Sequence, residues 1–220
     1  MKTFRNKEGK KILFSMVKAI QDNKAYLSEV DGLIGDGDHG ANMNKGFTVF
    51  ETRFKEENIS FTDGLAELGT ILLTEIGGSM GPIYGTILID MAEAAEDKDE
   101  IDLNTFSKML STGLEGLSGI VDAKVGDKTL VDTLAPAVDA LNNAVKENKS
   151  FDAALIDMKK AAEAGRESTK NLVAKFGRSS RLGERSRGVL DAGATSCCII
   201  LTAMADSIND LLVKESANVQ

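Results

Sequence analysis

The sequence predicts an all-α fold of eight helices packed as antiparallel neighbours, and three observations carry that expectation. Apolar residues recur at helical spacing through most of the 220 residues. No segment alternates convincingly with the period of two that marks a half-buried strand. Aromatic residues make up only 5% of the chain and Trp is absent, which disfavours a β-rich core.

The first helix is expected from about Lys10 to Ser28, where Ile12, Leu13, Met16, Val17, Ile20 and Leu27 form one stripe. An acidic, glycine-bearing loop follows, and Asp38 is placed to cap a second helix through Asn42, Phe47 and Phe50. Thr62-Asp-Gly begins a third helix with Leu65, Leu68, Ile71 and Leu72, which stops at the glycine cluster 77–85. Pro82 suits the first position of a fourth helix, read from Ile83 to Ala95. The charged segment 96–100 reads as a solvated loop, and a fifth helix spans about Leu103 to Val121. Gly126-Asp-Lys-Thr-Leu opens a sixth helix, in which Pro136 predicts a kink or local break. Ser150 opens a seventh, running to about Phe176, and after a basic loop over 177–188 the eighth starts near Asp191.

Helices joined by short loops pack as antiparallel neighbours. In an up-down arrangement the loops after helices 1, 3, 5 and 7 therefore fall at one end. Those loops are the acidic one, the 77–85 glycine cluster, the Gly126-Asp-Lys-Thr segment and the basic one. That end is where a site is expected.

Composition bounds the function. The length suits one large domain with a substantial core, so residues 1–220 are read as a single unit. Apolar residues are 42%, charged residues 27%, and the net charge is −8. That balance argues against nucleic acid or an anionic membrane as the main partner. Cys197 and Cys198 are adjacent in an apolar run and read as buried hydrophobes in a reducing compartment. The apolar run from Ile12 to Val17 is broken by Lys18 before a signal-peptide core is reached. The stretch from Cys197 to Ala205 is well short of the ~20 residues a membrane span needs. A cytoplasmic location is expected.

The densest chemistry lies in residues 31–44. Asp31, Asp36 and Asp38 fall within eight residues, followed by His39, the only histidine, with Gly35, Gly37 and Gly40 interleaved. Hard cations such as Mg²⁺ take oxygen ligands and keep waters and phosphates as the rest. Asp and Gly are also ordinary turn residues, so a solvated acidic turn explains the composition equally well. Gly35, Gly37 and Gly40 satisfy G-x-G-x-x-G, but the preceding segment has helical period where a dinucleotide fingerprint needs a strand. Counting an EF-hand from Asp36 puts Ala41 and Phe47 where Gly and Glu are required. No P-loop motif occurs.

Gly35-Asp-Gly-Asp-His-Gly-Ala-Asn-Met-Asn, Gly81-Pro-Ile-Tyr-Gly-Thr, Gly126-Asp-Lys-Thr, and Gly177-Arg-Ser-Ser-Arg-Leu-Gly-Glu-Arg-Ser followed by Asp191-Ala-Gly-Ala-Thr-Ser occur in that order. Together they resemble the ADP-binding L subunit of dihydroxyacetone kinase, from about Asp31 to Ser196. The resemblance implies a barrel-like bundle of eight antiparallel helices, with the nucleotide-metal site in the loops at one end. It implies that Asp31, Asp36 and Asp38 ligate two Mg²⁺ ions. Nucleotide contacts carry over to His39, Gly40, Ala41, Asn42, Ser79, Met80, Leu130, Arg178, Asp191, Ala192 and Gly193. The sequence departs from the family pattern at Met80, Val121, Leu130 and Ala192. Three carboxylates (−3), ADP (about −3) and two Mg²⁺ (+4) would leave about −2 for Arg178 and helix N-termini to balance.

The resemblance further implies a division of labour. Dihydroxyacetone is held on a separate K subunit, which the chain's length places on another polypeptide. ADP stays bound as a cofactor and becomes ATP when a phosphohistidine on a phosphotransferase-system subunit rephosphorylates it. The implied activity is therefore a phosphotransferase in which no side chain here is the covalent nucleophile, and a homodimer is expected. Two other readings stand beside it: an ATP-dependent kinase subunit for dihydroxyacetone or a related ketose, and a nucleotide-sensing partner of a regulator.

Overall fold

The computed structural model describes residues 2–217, and these are mostly helical. The α-helices are α1 (Lys10–Asp22), α2 (Lys24–Gly32), α3 (His39–Phe54), α4 (Phe61–Glu75), α5 (Met80–Glu93), α6 (Leu103–Ile120), α7 (Val131–Lys146), α8 (Phe151–Ser168) and α9 (Ala192–Ala217). Each helix from α3 to α9 packs on the next, and α1 packs on both α3 and α9. Short 3₁₀ turns span Thr169–Asn171 and Arg178–Ser186.

Several expectations are corrected in detail. The first predicted helix is two, broken at Asn23 (φ −102°, ψ 8°). Its side-chain amide and its N–H both take the Ala19 carbonyl, the local competition by which Asn ends helices. The apolar stripe runs through this break because Leu27 is as buried as Ile20, so periodicity alone does not reveal it. The seventh predicted helix ends at Ser168 instead of Phe176. There Ser168 Oγ donates to the Gly165 carbonyl (2.7 Å) and Thr169 Oγ1 to that of Arg166 (2.6 Å). Pro136 does not interrupt α7. The Asp132 carbonyl, which Pro136 has no N–H to serve, is instead approached closely by Gly165 of α8.

A strand pair was not expected. β1 (Thr3–Arg5) and β2 (Glu100–Asp102) form an antiparallel ribbon with Phe4 opposite Ile101. Three residues per strand are too few to display a period of two. Phe4 anchors the ribbon to the core, with ring centroids 5.5 Å from Phe61 and 6.4 Å from Phe151. Phe61 and Phe151 are the first residues of α4 and α8, and α6 follows directly from β2. Three helices therefore begin at the ribbon.

Side-chain caps fix two of those starts. Ser60 Oγ accepts from the Asp63 N–H (3.1 Å), and Asp102 Oδ1 accepts from Thr105 N–H (2.8 Å). The window from Ala192 to Leu212 in α9 is long and apolar enough to cross a membrane by composition alone. Within the fold 67% of it is buried, and Ile200, Leu201, Met204 and Ile208 form part of the shared core.

The crossing of α2 and α3 is close at Gly40. A Cβ there would lie 2.1 Å from the Lys24 carbonyl and 2.7 Å from the Ser28 nitrogen. Gly40→Ala should therefore destabilise by about 1–3 kcal/mol, as overpacking does. Gly119→Ala, a helical site with nothing within 4 Å of the new Cβ, should stabilise by up to about 1 kcal/mol. Urea unfolding of both variants checks the contrast, and an equal gain at the two sites contradicts the close crossing.

Candidate functional site

The acidic turn is built from the end of α2. The Asp31 carbonyl accepts from Gly35 N–H (2.6 Å), curling residues 32–35 back, and Gly37 continues the turn at φ 76°. Asp38 holds the N-cap position of α3, as expected, but its side chain makes no capping bond. Asp31 Oδ2 instead accepts from the His39 N–H at 3.3 Å, so the cap comes from across the turn. Ligand oxygens of Asp31, Asp36 and Asp38 all lie within 4.8 Å of one another. The Arg178 guanidinium is paired with Asp36.

Behind the turn lies a buried polar chain. Ser196 Oγ stands 2.8 Å from His39 Nε2 and 2.6 Å from the Tyr84 hydroxyl, joining α3, α5 and α9. Burial pulls the His39 imidazole down to about 4 against the opposing charge of Asp38, so the ring is neutral near pH 7. Burial likewise raises the Tyr84 hydroxyl well above its ordinary range. Asp191 caps α9 through Ala194 N–H (2.8 Å), and burial pushes its carboxyl up to about 6.

All four loops expected at one end line a single cavity of about 420 Å³. The cavity brings together Asp31, Asp36, Asp38, His39, Ser79, Met80, Leu130, Arg178, Asp191, Ala192 and Gly193. Gly40, Ala41 and Asn42 do not line it. Gly40 is buried against α2, Ala41 is exposed and Asn42 is half-buried. The first residues of α3, α5, α7 and α9 (His39, Met80, Val131 and Ala192) all face the cavity, so four helix N-termini converge there. Such termini offer unpaired N–H groups and the positive end of the helix dipole. Ile34, Ile83, Leu117, Val121 and Phe176 give the cavity an apolar side. Met80, Val121, Leu130 and Ala192 are all in its wall.

The sequence assigns no contact role to several lining residues, among them Tyr84, Lys128 and Phe176. Tyr84 and Lys128 lie inside quoted motifs, and their types alone do not reveal burial. Phe176 was read as the last residue of a helix, whereas it stands 39% exposed in the loop beside Arg178.

A concave chamber with one acidic corner, converging helix N-termini, the Arg178 guanidinium and an apolar side suits a ligand with phosphates and a flat apolar part. Comparison with known proteins agrees. A DAK2 domain is recognised over residues 33–206. The ADP-binding subunit DhaL of PEP-dependent dihydroxyacetone kinase 1 from Listeria innocua is 38% identical over 84% of this chain and 88% of its own length. The ADP-binding subunit DhaL of the PEP-dependent dihydroxyacetone kinase of Escherichia coli is 36% identical over 82% of this chain and 86% of its own. The dihydroxyacetone kinase of C. freundii, solved in complex with AMP-PNP and Mg²⁺, shares the fold with a TM-score of 0.65 at 22% identity. The match covers 89% of this chain but 33% of that longer one. The chain belongs to the DhaL family of DAK2-domain proteins.

Proposed function

We propose that this chain is the nucleotide-carrying subunit of a phosphotransferase-system-dependent dihydroxyacetone kinase. It would hold ADP, rephosphorylated in place to ATP by a phosphohistidine donor subunit, and pass the phosphoryl group to dihydroxyacetone on a K subunit. The names of the relatives support the activity. The observation that carries the reading to this chain is the trio of carboxylates within 4.8 Å at the edge of a cavity ringed by helix N-termini.

The residues fit Mg²⁺. Their donor set is all oxygen, and a cation already stands there as the Arg178 guanidinium on Asp36. Asp31, Asp36 and Asp38 would hold the metal, as two ions in our reading. A metal held there would supply positive charge to offset that on the phosphate oxygens during transfer. The chain's own residues do the rest by position. Gly40 and Ala41 sit in the first turn of α3, whose N–H groups have no intrahelical acceptor and in our reading would serve the phosphates. The Asn42 N–H is committed to the Asp38 carbonyl (2.9 Å), so its contribution falls to the side chain. Neutral His39, held by Ser196, offers a hydrogen bond without adding charge. Ser79, Met80, Leu130, Asp191, Ala192 and Gly193 complete the nucleotide contacts.

The ring of packed helices supports reading the fold as one domain, an antiparallel barrel in which α1 and α2 count as one of eight rungs. A homodimer and a cytoplasmic location complete the proposal.

Mg²⁺ and ADP together, at 100 times the dissociation constant, should stabilise the protein by about 2.7 kcal/mol. Asp36→Asn should fold and lose that increment, and a variant with the full wild-type shift in melting temperature removes the metal assignment.

The division of labour is tested by reconstitution. The purified chain with Mg–ATP and dihydroxyacetone should form no dihydroxyacetone phosphate. Product should appear on adding a K subunit, and sustained turnover should require the phosphohistidine donor instead of bulk ATP. Mass spectrometry with each component omitted in turn reads this out. Product from the chain alone would sink the proposal, and multiple turnovers on bulk ATP would favour an exchanging, ATP-dependent subunit.

A further inference from the structure

Lys128 is only 1% exposed, although a lysine in a loop before a helix ordinarily reaches water. The loop is shaped to turn it inward. Asp132, in the first turn of α7, accepts the N–H groups of Gly126 (2.6 Å) and Thr129 (2.7 Å) on either side of it. Between those two anchors Lys128 adopts φ 60°, a conformation uncommon outside glycine. Its amino group donates to two main-chain carbonyls, those of Thr169 and Val189, each at 2.5 Å.

Those carbonyls stand at the two ends of the segment that brings Phe176 and Arg178 to the cavity. The same ends are joined by Gly188 N–H to the Lys170 carbonyl (2.7 Å) and Asp191 N–H to Thr169 Oγ1 (3.0 Å). Farther along, Lys175 pairs with Asp127, the residue next to Lys128. Burial pulls the amine below its ordinary range, with Arg187 acting in the same direction and Asp191 and Asp132 opposing. Burying an ammonium is costly, and here two carbonyl acceptors and the nearby charges of Asp191 and Asp132 offset that cost.

We infer that Lys128 is a positioning residue that clips both stems of the 170–188 segment and thereby sets where Arg178 and Phe176 stand over the nucleotide cavity. Only its effect on affinity rests on the proposed nucleotide function; the clip itself does not.

The test uses Lys128→Met, close in shape but unable to donate, and Lys128→Gln, which keeps one donor group. Timed trypsin digestion of the ligand-free protein, read by mass spectrometry, compares cleavage after Arg178, Arg181 and Arg185 with cleavage after Arg53 in α3. Lys128→Met should raise the loop rates at least tenfold with the Arg53 rate unchanged, and Lys128→Gln should fall between. Parallel acceleration at all sites, or none in either variant, overturns the clip. If Lys128→Met does not fold, the same comparison on Lys128→Gln decides. In Mg–ADP titrations, Arg178→Ala should weaken binding in the wild type and have less effect beside the Lys128 variant. An equal effect in both backgrounds also overturns the inference. Absence of ADP binding by the wild type would remove the nucleotide reading and leave the digestion result to judge Lys128.

Discussion

Three carboxylates brought within 4.8 Å of one another form the constraint that the rest of the structure has to answer. Like charges so close repel, and a fold gains nothing by assembling them unless positive charge is supplied. This fold supplies it in three ways. Arg178 reaches across from a distant loop to Asp36, the Asp31 carboxylate caps α3, and four helix N-termini face the same chamber. Asp31 links these devices, because its carbonyl curls the turn while its carboxylate both caps α3 and belongs to the cluster.

The helices translate that local demand into architecture. α4 and α8 begin at the aromatic cluster around Phe4, and α6 begins beside it at the end of β2. α3, α5, α7 and α9 begin at the cavity. One end of the molecule is thus given to apolar packing and the other to chemistry. A site assembled on rigid helix ends holds its donors in place, which positioning catalysis requires. Gly40 belongs to the same logic, since α2 and α3 approach so closely there that the turn between them has little freedom.

Much of this was legible in the sequence because the signals are local and repeated. Stripes such as Leu65, Leu68, Ile71 and Leu72 fix a helix and its inward face, and short connections then decide which loops share an end. The acidic turn, the two glycine-bearing loops and the basic loop were placed together on that ground, and one cavity contains residues of all four. What escaped depended on pairings between distant segments. The ribbon pairs Phe4 with Ile101 across the chain, and the break at Asn23 turns on where one amide points. Lys128 and Ser196 draw their importance from partners in other elements. The close approach of Gly40 to the backbone of α2 at Lys24 and Ser28 likewise depends on a partner in another element.

The most direct test of the account is to locate the metal itself. Crystals grown with Mn²⁺ and ADP should show anomalous density bounded by Asp31, Asp36 and Asp38 and continuous with the ADP phosphates. The number of peaks would count the ions. ADP phosphates bound elsewhere, or a carboxylate cluster that takes no Mn²⁺ while ADP is in place, would contradict it.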